Sequence, residues 1–452
     1  MALTKHPEGS LRELWSIALP LMISSLSVLS MIFVDRLLLA NYSTQAFNAA
    51  VTASTLGWAF FIGWMTMGSI AEVFVAQLNG AGQKEKLGGP VWQMIWLSIG
   101  SILCFLPLSI WGGEWFYGNG PEKAMERDYF TWMMLFGPSC PLYSALCAFF
   151  VGQGKPKIIT WLAIIANAVN AGLDAILIFG IDGYVPSLGV TGAAIATCGS
   201  TMFQLCVLAV LFLSRKNRLE YGTGNYHFHW ESFWQCFKIG APNAIFVVLE
   251  IFAWAMFYAM MTMISEKHIT VAGIGQSFVL LFFFFADGVS KAVSTLAGNL
   301  IGANKTELIQ NVMKTALKLN GLFFVFGFTA SIFAIDILIA QFLPNATPAQ
   351  IEDLHDALLF CLASNSVYLF FEGVRMVFSG VLTAAGDTLF LLVAGSLSIW
   401  ILLVLPIYFI VVQHASSIEA AVMICVFYSI AASIIYGFRV YQGRWQEMRL
   451  TA

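Results

Sequence analysis

Short sequence motifs in the first half of this chain occur again in the second half, and each copy lies the same number of residues further along. Ile17-Ala18-Leu19-Pro20 returns as Ile239-Gly240-Ala241-Pro242. Leu78-Asn79-Gly80-Ala81 returns as Leu300-Ile301-Gly302-Ala303, and the position numbers give the same difference in both cases (242 − 20 = 302 − 80). We call two positions related by this offset repeat mates. An offset that stays constant over such a distance predicts two homologous halves, each folding as one comparable unit.

The composition indicates the medium in which these halves fold. Hydrophobic residues make up 59% of the chain and charged residues 10%, which is too little charge for a water-soluble surface. Apolar runs of about 20 residues can cross a hydrocarbon core of about 30 Å as helices. We therefore expect an all-α integral membrane protein, and its duplicated halves are typical of secondary transporters. The net charge of −3 argues against nucleic acid as a partner.

Twelve transmembrane helices are predicted, six in each half. Their approximate limits are 14–39, 48–79, 90–112, 129–151, 157–180, 189–213, 236–263, 270–301, 312–343, 357–385, 388–413 and 416–438. Because six is even, both halves enter from the same side, which predicts two pseudo-symmetric six-helix bundles with a binding cavity between them. We place the N-terminal lobe, with the start of a cytoplasmic linker, at residues 1–222 and the C-terminal lobe at residues 223–452.

Basic residues in the loops predict the orientation in the membrane. The side that carries the chain termini has fourteen Lys and Arg residues, whereas the other side has three: Lys123, Arg127 and Lys267. Both termini are therefore expected in the cytoplasm. The first span has no preceding cleavage site and is expected to be an uncleaved signal anchor.

Acidic residues inside the spans are the main candidates for function. A carboxylate near the bilayer centre costs roughly 2.5–3.5 kcal/mol on insertion scales, so it needs a partner, a water-filled cavity or a proton. Glu72 lies in the cytoplasmic third of its span, where a polar gate and snorkelling explain it equally well. Six acids qualify: Asp35, Glu72, Asp174, Glu250, Asp287 and Glu372.

Asp35 and Asp174 are both expected in the outer leaflet of the first bundle. Asn167, Asn170 and Asp174 follow i, i+3, i+7 spacing and so share one helix face. Carboxylate and amide oxygens at one depth suit Na⁺ or a shared proton, and Asp35 and Asp174 would be metal ligands only if transport is sodium-coupled. Alternatively, Asp174 caps a neighbouring backbone break and Asp35 pairs with Arg36.

Pro20 lies below Asp35 on the first helix and removes a backbone hydrogen bond there. A helix with a titratable acid above a proline can change its bend when the acid changes charge, which predicts a hinge. A static kink is the alternative, since prolines are common in membrane helices.

Glu250 and Glu372 lie mid-span in the second bundle and are candidates for binding a cation or a cationic substrate. Arg375 follows Glu372 by three residues and Lys291 follows Asp287 by four, spacings at which ion pairs form within a helix. Internal ion pairs that only make the helices insertable are therefore an equal alternative. Glu250 has no such local partner and is the better candidate.

Nucleotide-binding and hydrolytic motifs are missing from the sequence. Gly152-Gln153-Gly154-Lys155 lacks the spacing and the final Ser or Thr of a phosphate loop, and no G-x-S-x-G or H-E-x-x-H element occurs. We therefore expect neither an enzyme nor a cofactor. Energy would come from an ion gradient, from a partner, or not at all.

Several segments together resemble the multidrug and toxic compound extrusion (MATE) transporters over essentially the whole chain. They are Ile17 to Pro20 with Val34-Asp35, Ala76 to Gly82, Asn170 with Asp174, Gly192 to Thr197, and Gly380 to Thr388. The resemblance implies a twelve-helix, two-lobed antiporter that expels organic cations against H⁺ or Na⁺ flow.

The resemblance also implies which residues bind cations. The matching cation-coupling positions of the first lobe are Asp35, Asn170, Asp174 and Thr197. Glu250 and Glu372 match acids of the NorM-like branch of the family. Arg375 departs from the pattern, since a neutral amide is expected there, and so do Asp287 and Lys291 in a helix that is usually neutral. A standing positive charge in the second lobe would repel a cation.

The expected function is export of lipophilic organic cations or drugs by alternating access, coupled to H⁺ or Na⁺. We expect a monomer surrounded by lipid in a bacterial inner or plasma membrane, with a small amphiphilic substrate. One alternative is a flippase or exporter of a lipid-linked or anionic amphiphile, which Lys291 and Arg375 favour. The other is a non-transport receptor or scaffold, which leaves the buried acids unexplained.

Overall fold

The computed structural model shows an all-helical protein. It describes residues 3–333, 335, 337, 339, 348–448 and 450. Over these residues the chain forms helices joined by short connections, and its β structure is limited to an isolated bridge between Ile181 and Val185. The predicted all-α class is confirmed.

The helices are arranged in two bundles. The first bundle contains α1 (Leu11–Tyr42), α2 (Thr44–Ser69), α3 (Ala71–Gly80), α4 (Gly88–Gly100), α5 (Ile102–Pro107), α6 (Gly113–Tyr117), α7 (Ala124–Leu135), α8 (Ser139–Gly152), α9 (Pro156–Phe179) and α10 (Gly189–Phe212). The connection contains α11 (Arg215–Tyr221). The second bundle contains α12 (Trp230–Ile264), α13 (Glu266–Gly302), α14 (Ile309–Phe333), α15 (Pro348–Ala385), α16 (Thr388–Ile399) and α17 (Ile418–Tyr441). Stretches of π-helix are Leu108–Gly112, Trp400–Val404 and Ile407–Val412.

Twelve membrane crossings are present if one bent pair counts as a single span. In the described chain, eleven helical segments are long and apolar enough to cross, and α7 with α8 forms the twelfth, bent by 42°. Pro138 precedes α8 at this bend. Its ring and its missing N–H interrupt the helix, which explains the bend. The prediction of twelve spans is confirmed. The expected end of the ninth span at residue 343 lies outside the described residues.

The sequence repeat is reproduced in local structure. Ser43 caps α2 by accepting a hydrogen bond from the Ala46 N–H, and Ser265 caps α13 by accepting one from the His268 N–H. The two caps are repeat mates and share an extended backbone, with φ of −164° and −166°. Both satisfy one of the N–H groups that a helix start leaves without an intrahelical partner.

The two copies meet where α3 and α13 end, a region that we call the base and define by Gly80 and Gly302. A Cβ atom at Gly80 would collide with the carbonyl of Asn299, and one at Gly302 would collide with the carbonyl of Gln77. Each of these contacts is the copy of the other under the repeat. The repeated glycine is therefore required because two helix backbones touch at this position.

The pseudo-two-fold axis passes close to this crossing. Ala76 and Gly298 are also repeat mates, and the Ala76 Cβ lies 3.0 Å from the place a Cβ would occupy at Gly298. A residue that contacts its own symmetry mate must lie near the axis. The axis therefore runs between the ends of α3 and α13.

Among the described residues, the apolar core is continuous across the lobes only at the base. One buried cluster contains residues of both lobes, such as Phe74 of α3 and Leu296 of α13. Towards the opposite end, which we call the mouth and define by Ser43 and Ser265, each lobe has a separate core. The lobes thus share a core at the base and have separate cores at the mouth.

We expect Gly302→Ala to lower the free energy of unfolding by about 1–3 kcal/mol, because the added methyl group overlaps the Gln77 carbonyl and the helices must shift. Gly321→Ala in α14 is the matched control, since a Cβ there meets nothing within 4 Å. Thermal unfolding of the purified protein measures both variants. Equal midpoints would contradict a close crossing at the base.

Candidate functional site

Three groups of polar side chains lie within the bundle. The first-lobe acid cluster consists of Asp35, Asn170, Asp174 and Thr197. The second-lobe ion cluster consists of Glu250, Glu372 and Arg375. The interlobe stripe consists of Asp287, Lys291 and Thr295 with Ser25 and Glu72.

The first-lobe acid cluster is assembled from three helices. Asp35 comes from α1, Asn170 and Asp174 from α9, and Thr197 from α10. The Thr197 hydroxyl donates to Asp35 Oδ2 at 3.0 Å, and the side chains of Asn170 and Asp174 also lie against Asp35. Asn170 and Asp174 are fully buried, and Asp35 is 8% exposed. The structure therefore brings together all four residues predicted from the sequence.

Most polar atoms of this cluster lack a protein partner. Asp35 Oδ1, both carboxylate oxygens of Asp174 and both polar side-chain atoms of Asn170 have no hydrogen-bond partner in the part of the chain that is described. Buried carboxylate oxygens without donors are costly unless a cation or a proton neutralises them. The cluster can therefore accept a positive charge from outside the protein.

Neither structural alternative for these acids is present. Asp174 lies inside the continuous helix α9, and its oxygens cap no described backbone. Arg36 is exposed on the next position of α1, and among the described side chains it makes no ion pair with Asp35, whose Oδ2 instead accepts from Thr197.

The donor set of the cluster suits two kinds of cation. Two carboxylates, an amide and a hydroxyl are hard oxygen ligands of the kind that Na⁺ accepts, and two adjacent carboxylates also suit a shared proton. No group of three or more His, Cys, Asp or Glu side chains that could hold a metal ion occurs among the described residues. A sodium ion here would thus depend on neutral oxygens beside Asp35 and Asp174.

Hydrogen bonds hold α1 against α9 below the cluster. The Thr160 hydroxyl donates to the Pro20 carbonyl at 2.6 Å, and Asn167 Nδ2 donates to the Ser27 carbonyl at 2.7 Å. Helix α1 is continuous through Pro20 in this conformation. Asn167, predicted to share a face with the acids, therefore positions the helix that carries Asp35.

The second-lobe ion cluster differs from the sequence prediction. Arg375 Nε donates to Glu372 Oε2 at 2.9 Å, and Arg375 Nη2 donates to both Glu372 Oε1 and Glu250 Oε1, at 2.5 and 2.8 Å. Glu250 has no partner at helical spacing on α12, but Arg375 reaches it from a different helix. Arg375 adds no net positive charge to this cluster, since two carboxylates surround one guanidinium and the formal charge is −1.

Two aromatic rings complete the surroundings of Arg375. Its guanidinium carbon lies 5.7 Å from the centre of the Phe246 ring and 5.5 Å from that of Tyr436, distances at which ring faces attract cations. No spacing in the sequence pointed to these contacts, because the rings belong to other helices.

The interlobe stripe connects the two lobes through side chains. Lys291 Nζ donates to Asp287 Oδ2 at 2.7 Å, the ion pair that the i, i+4 spacing allowed. The Ser25 hydroxyl of α1 donates to Asp287 Oδ2 at 2.9 Å, and the Thr295 hydroxyl donates to Glu72 Oε1 at 2.6 Å. Each of these hydroxyl bonds crosses from one lobe to the other.

Sequence reasoning did not identify Ser25 and Thr295. Thr295 follows Asp287 and Lys291 at a repeated spacing of four, so a search for polar stripes on α13 would have found it. Lys291 lies eleven residues, or about 16 Å, from the end of α13, yet its side chain is 51% exposed. The cleft between the lobes therefore extends down to this stripe.

The chain is similar to known proteins over nearly its whole length. The MatE family model matches residues 20–176 and 242–410. The probable multidrug resistance protein NorM of Thermotoga maritima is 26% identical over 413 residues, which make up 89% of this chain and 86% of that protein.

Solved transporters have a similar fold. An outward-facing multidrug resistance MATE family transporter of the MOP superfamily has a TM-score of 0.82 and 15% identity, over 99% of this chain and 97% of that one. A MOP superfamily transporter from Pyrococcus furiosus, whose reversed pocket polarity suggests a different function for that protein, has a TM-score of 0.83 and 17% identity, over the same shares. At such identities these likenesses show the fold alone.

We expect Thr295→Val to lower the free energy of unfolding by about 1.5–3 kcal/mol, because it removes a hydrogen bond to the carboxylate of Glu72 between the lobes. Thr52→Val is the matched control, since the exposed Thr52 hydroxyl bonds only within its own helix. Thermal unfolding in lipid nanodiscs checks the difference, and an equal effect of both substitutions would contradict a role in joining the lobes.

Proposed function

The chain belongs to the MatE family, and we propose that it exports lipophilic organic cations or drugs in exchange for H⁺ or Na⁺. The protein is a multi-pass integral membrane protein, and its relatives are transporters rather than enzymes. The coupling ion and the substrate class belong to the proposal. So does the division of the chain into lobes at residues 222 and 223.

One observation supports ion coupling above the others. Asp174 is fully buried, and neither of its oxygens has a donor within the described chain. Asp35 beside it uses one oxygen, towards Thr197, and has the other free of a donor among the same residues. Two adjacent carboxylates in this state favour a bound cation or a shared proton, because no Lys or Arg of the described chain forms an ion pair with either of them.

The orientation of the protein follows from the loop charges. If the termini are cytoplasmic, as the Lys and Arg distribution predicts, the base faces the cytoplasm and the mouth faces outward. A cation then enters from outside and loads the first-lobe acid cluster. We place the protein in a bacterial inner or plasma membrane, in agreement with a bacterial relative.

Helix α1 is the element that can couple the ion to the substrate. It carries Asp35, and it contacts the second lobe through Ser25, which donates to Asp287. Neutralising Asp35 changes the balance of forces on the upper part of α1, and Pro20 is the position where this helix lacks a backbone hydrogen bond. A bend there displaces substrate from the cleft and weakens the contact between the lobes.

The charges along the cleft favour a cationic or neutral substrate over an anionic one. Arg375 is surrounded by two carboxylates, and Lys291 is paired with Asp287. The positive groups that favoured an anionic amphiphile are therefore compensated. The multidrug name of a relative agrees with a small amphiphilic substrate, and we propose that the monomer is the transporting unit.

Asp35→Asn and Asp174→Asn should each reduce gradient-driven efflux at least tenfold, because each removes a charge that the coupling cation neutralises. Fluorescent-cation efflux from proteoliposomes with either a Na⁺ gradient or a pH gradient measures this and identifies the ion. Asp182→Asn, at an exposed loop position, is the control and should retain wild-type flux.

Active efflux at the normal rate in both buried-acid variants would contradict the coupling assignment. Absence of flux in the wild type under both gradients, with translocation of a labelled anionic lipid instead, would support the flippase alternative.

Pro20→Ala should slow efflux at least tenfold while cation binding stays, because the restored hydrogen bond stiffens α1 between the base and Asp35. Pro242→Ala is the matched control, since Pro242 is the repeat mate of Pro20 inside α12 and that helix carries neither Asp35 nor Asp174. Transport rate and cation affinity are measured separately. An equal loss in both variants would mean that Pro20 has no special hinge role.

A further inference from the structure

The second lobe contains two acids, the buried Glu372 and the partly exposed Glu250, that converge on a positive charge from the protein. Glu372 accepts two hydrogen bonds from the Arg375 guanidinium, one from Nε and one from Nη2. Glu250 accepts one more hydrogen bond from Nη2 of the same guanidinium. The side chains of Arg375 and Glu372 are 6% and 3% exposed, and that of Glu250 is 21% exposed. A planar guanidinium on two carboxylates is a strong, geometrically specific arrangement.

The space around the guanidinium is occupied as well. Phe246 and Tyr436 present their rings to Arg375. Within the described part of the chain, the titratable side chains of Tyr368 and Tyr428 also lie near the two acids. The acids therefore face a charge and a wall of rings, and the remaining formal charge of −1 lies where Glu250 is partly exposed.

The first lobe has the opposite arrangement. Its two acids have three oxygens without a donor among the described residues, and within the described chain no Lys or Arg forms an ion pair with either of them. The repeat does not copy these acids, since the repeat mates of Asp35 and Asp174 are Phe257 and Ser396. The symmetry of the scaffold therefore does not extend to its charges.

From this contrast we propose that Arg375 is a tethered counter-cation that takes the place of a bound ion in the second lobe. The coupling ion then binds only in the first lobe, at one site per chain. A guanidinium attached to α15 cannot exchange with the solution, so Glu250 and Glu372 take no part in the ion cycle. This goes beyond the proposed function, because it concerns how many ions bind and where.

The test counts ions bound at equilibrium by the purified full-length protein in nanodiscs. Bound radioactive sodium is counted directly, and proton release is followed with a pH dye. The wild type should bind one ion, and the double variant Asp35→Asn with Asp174→Asn should bind none. An ion that remains on the double variant and disappears when Glu250→Gln is added would overturn the proposal.

Arg375→Met added to the double variant supplies the converse test. The carboxylates of Glu250 and Glu372 then face each other without a counter-charge, and one bound Na⁺ or H⁺ per chain should appear. Arg375→Lys is the matched control, because it keeps the positive charge and should bind none. A folded Arg375→Met protein that gains no ion would overturn the proposal, and if that variant does not fold, the count on the double variant decides.

These counts do not depend on transport. A protein that fails to export the fluorescent cation but shows the expected ion counts would contradict the proposed function and support the tethered counter-cation. If the wild type exports the fluorescent cation but the double variant keeps an ion on Glu250, the proposed function is supported and the tethered counter-cation is rejected.

Discussion

The cost of an unpaired charge away from water controls the arrangement of polar groups throughout this bundle. In an apolar medium a carboxylate must find a cation, a proton or several donors. The second lobe satisfies Glu250 and Glu372 with an arginine of its own, and the interlobe stripe satisfies Asp287 with Lys291 and a serine of the other lobe. Only the first-lobe acid cluster, among the described residues, leaves two adjacent carboxylates without such compensation, and this difference is the reason for proposing an ion site there.

The duplicated scaffold explains how these groups are held in place. Close contact of the two copies at Gly80 and Gly302 joins the lobes at the base, where one apolar core is shared. Away from that crossing each lobe has a core of its own, so the lobes can separate without exposing a common interior. Symmetric packing thus joins the lobes at the base, while the asymmetric charges are the basis for proposing that the first lobe binds the ion.

Several features of the site could be predicted because they depend on one helix at a time. The i, i+3, i+7 spacing of Asn167, Asn170 and Asp174 and the i, i+4 spacing of Asp287 and Lys291 are set by helical geometry. The partner of Glu250 could not be predicted in this way, since Arg375 is 125 residues away and comes near only when α12 and α15 pack. The role of Ser25 could not be predicted for the same reason, because its hydrogen bond to Asp287 forms between the lobes.

The amino-acid sequence was sufficient to specify the all-α membrane class, the twelve spans and the duplication, because apolar run length and a constant offset are properties of the linear chain. It also identified the four residues of the first-lobe acid cluster as candidates. Which acids are neutralised within the protein depended on the packing of the helices. Charge compensation acts over a few ångströms in space, and neighbours at that range come from helices that are far apart in the sequence.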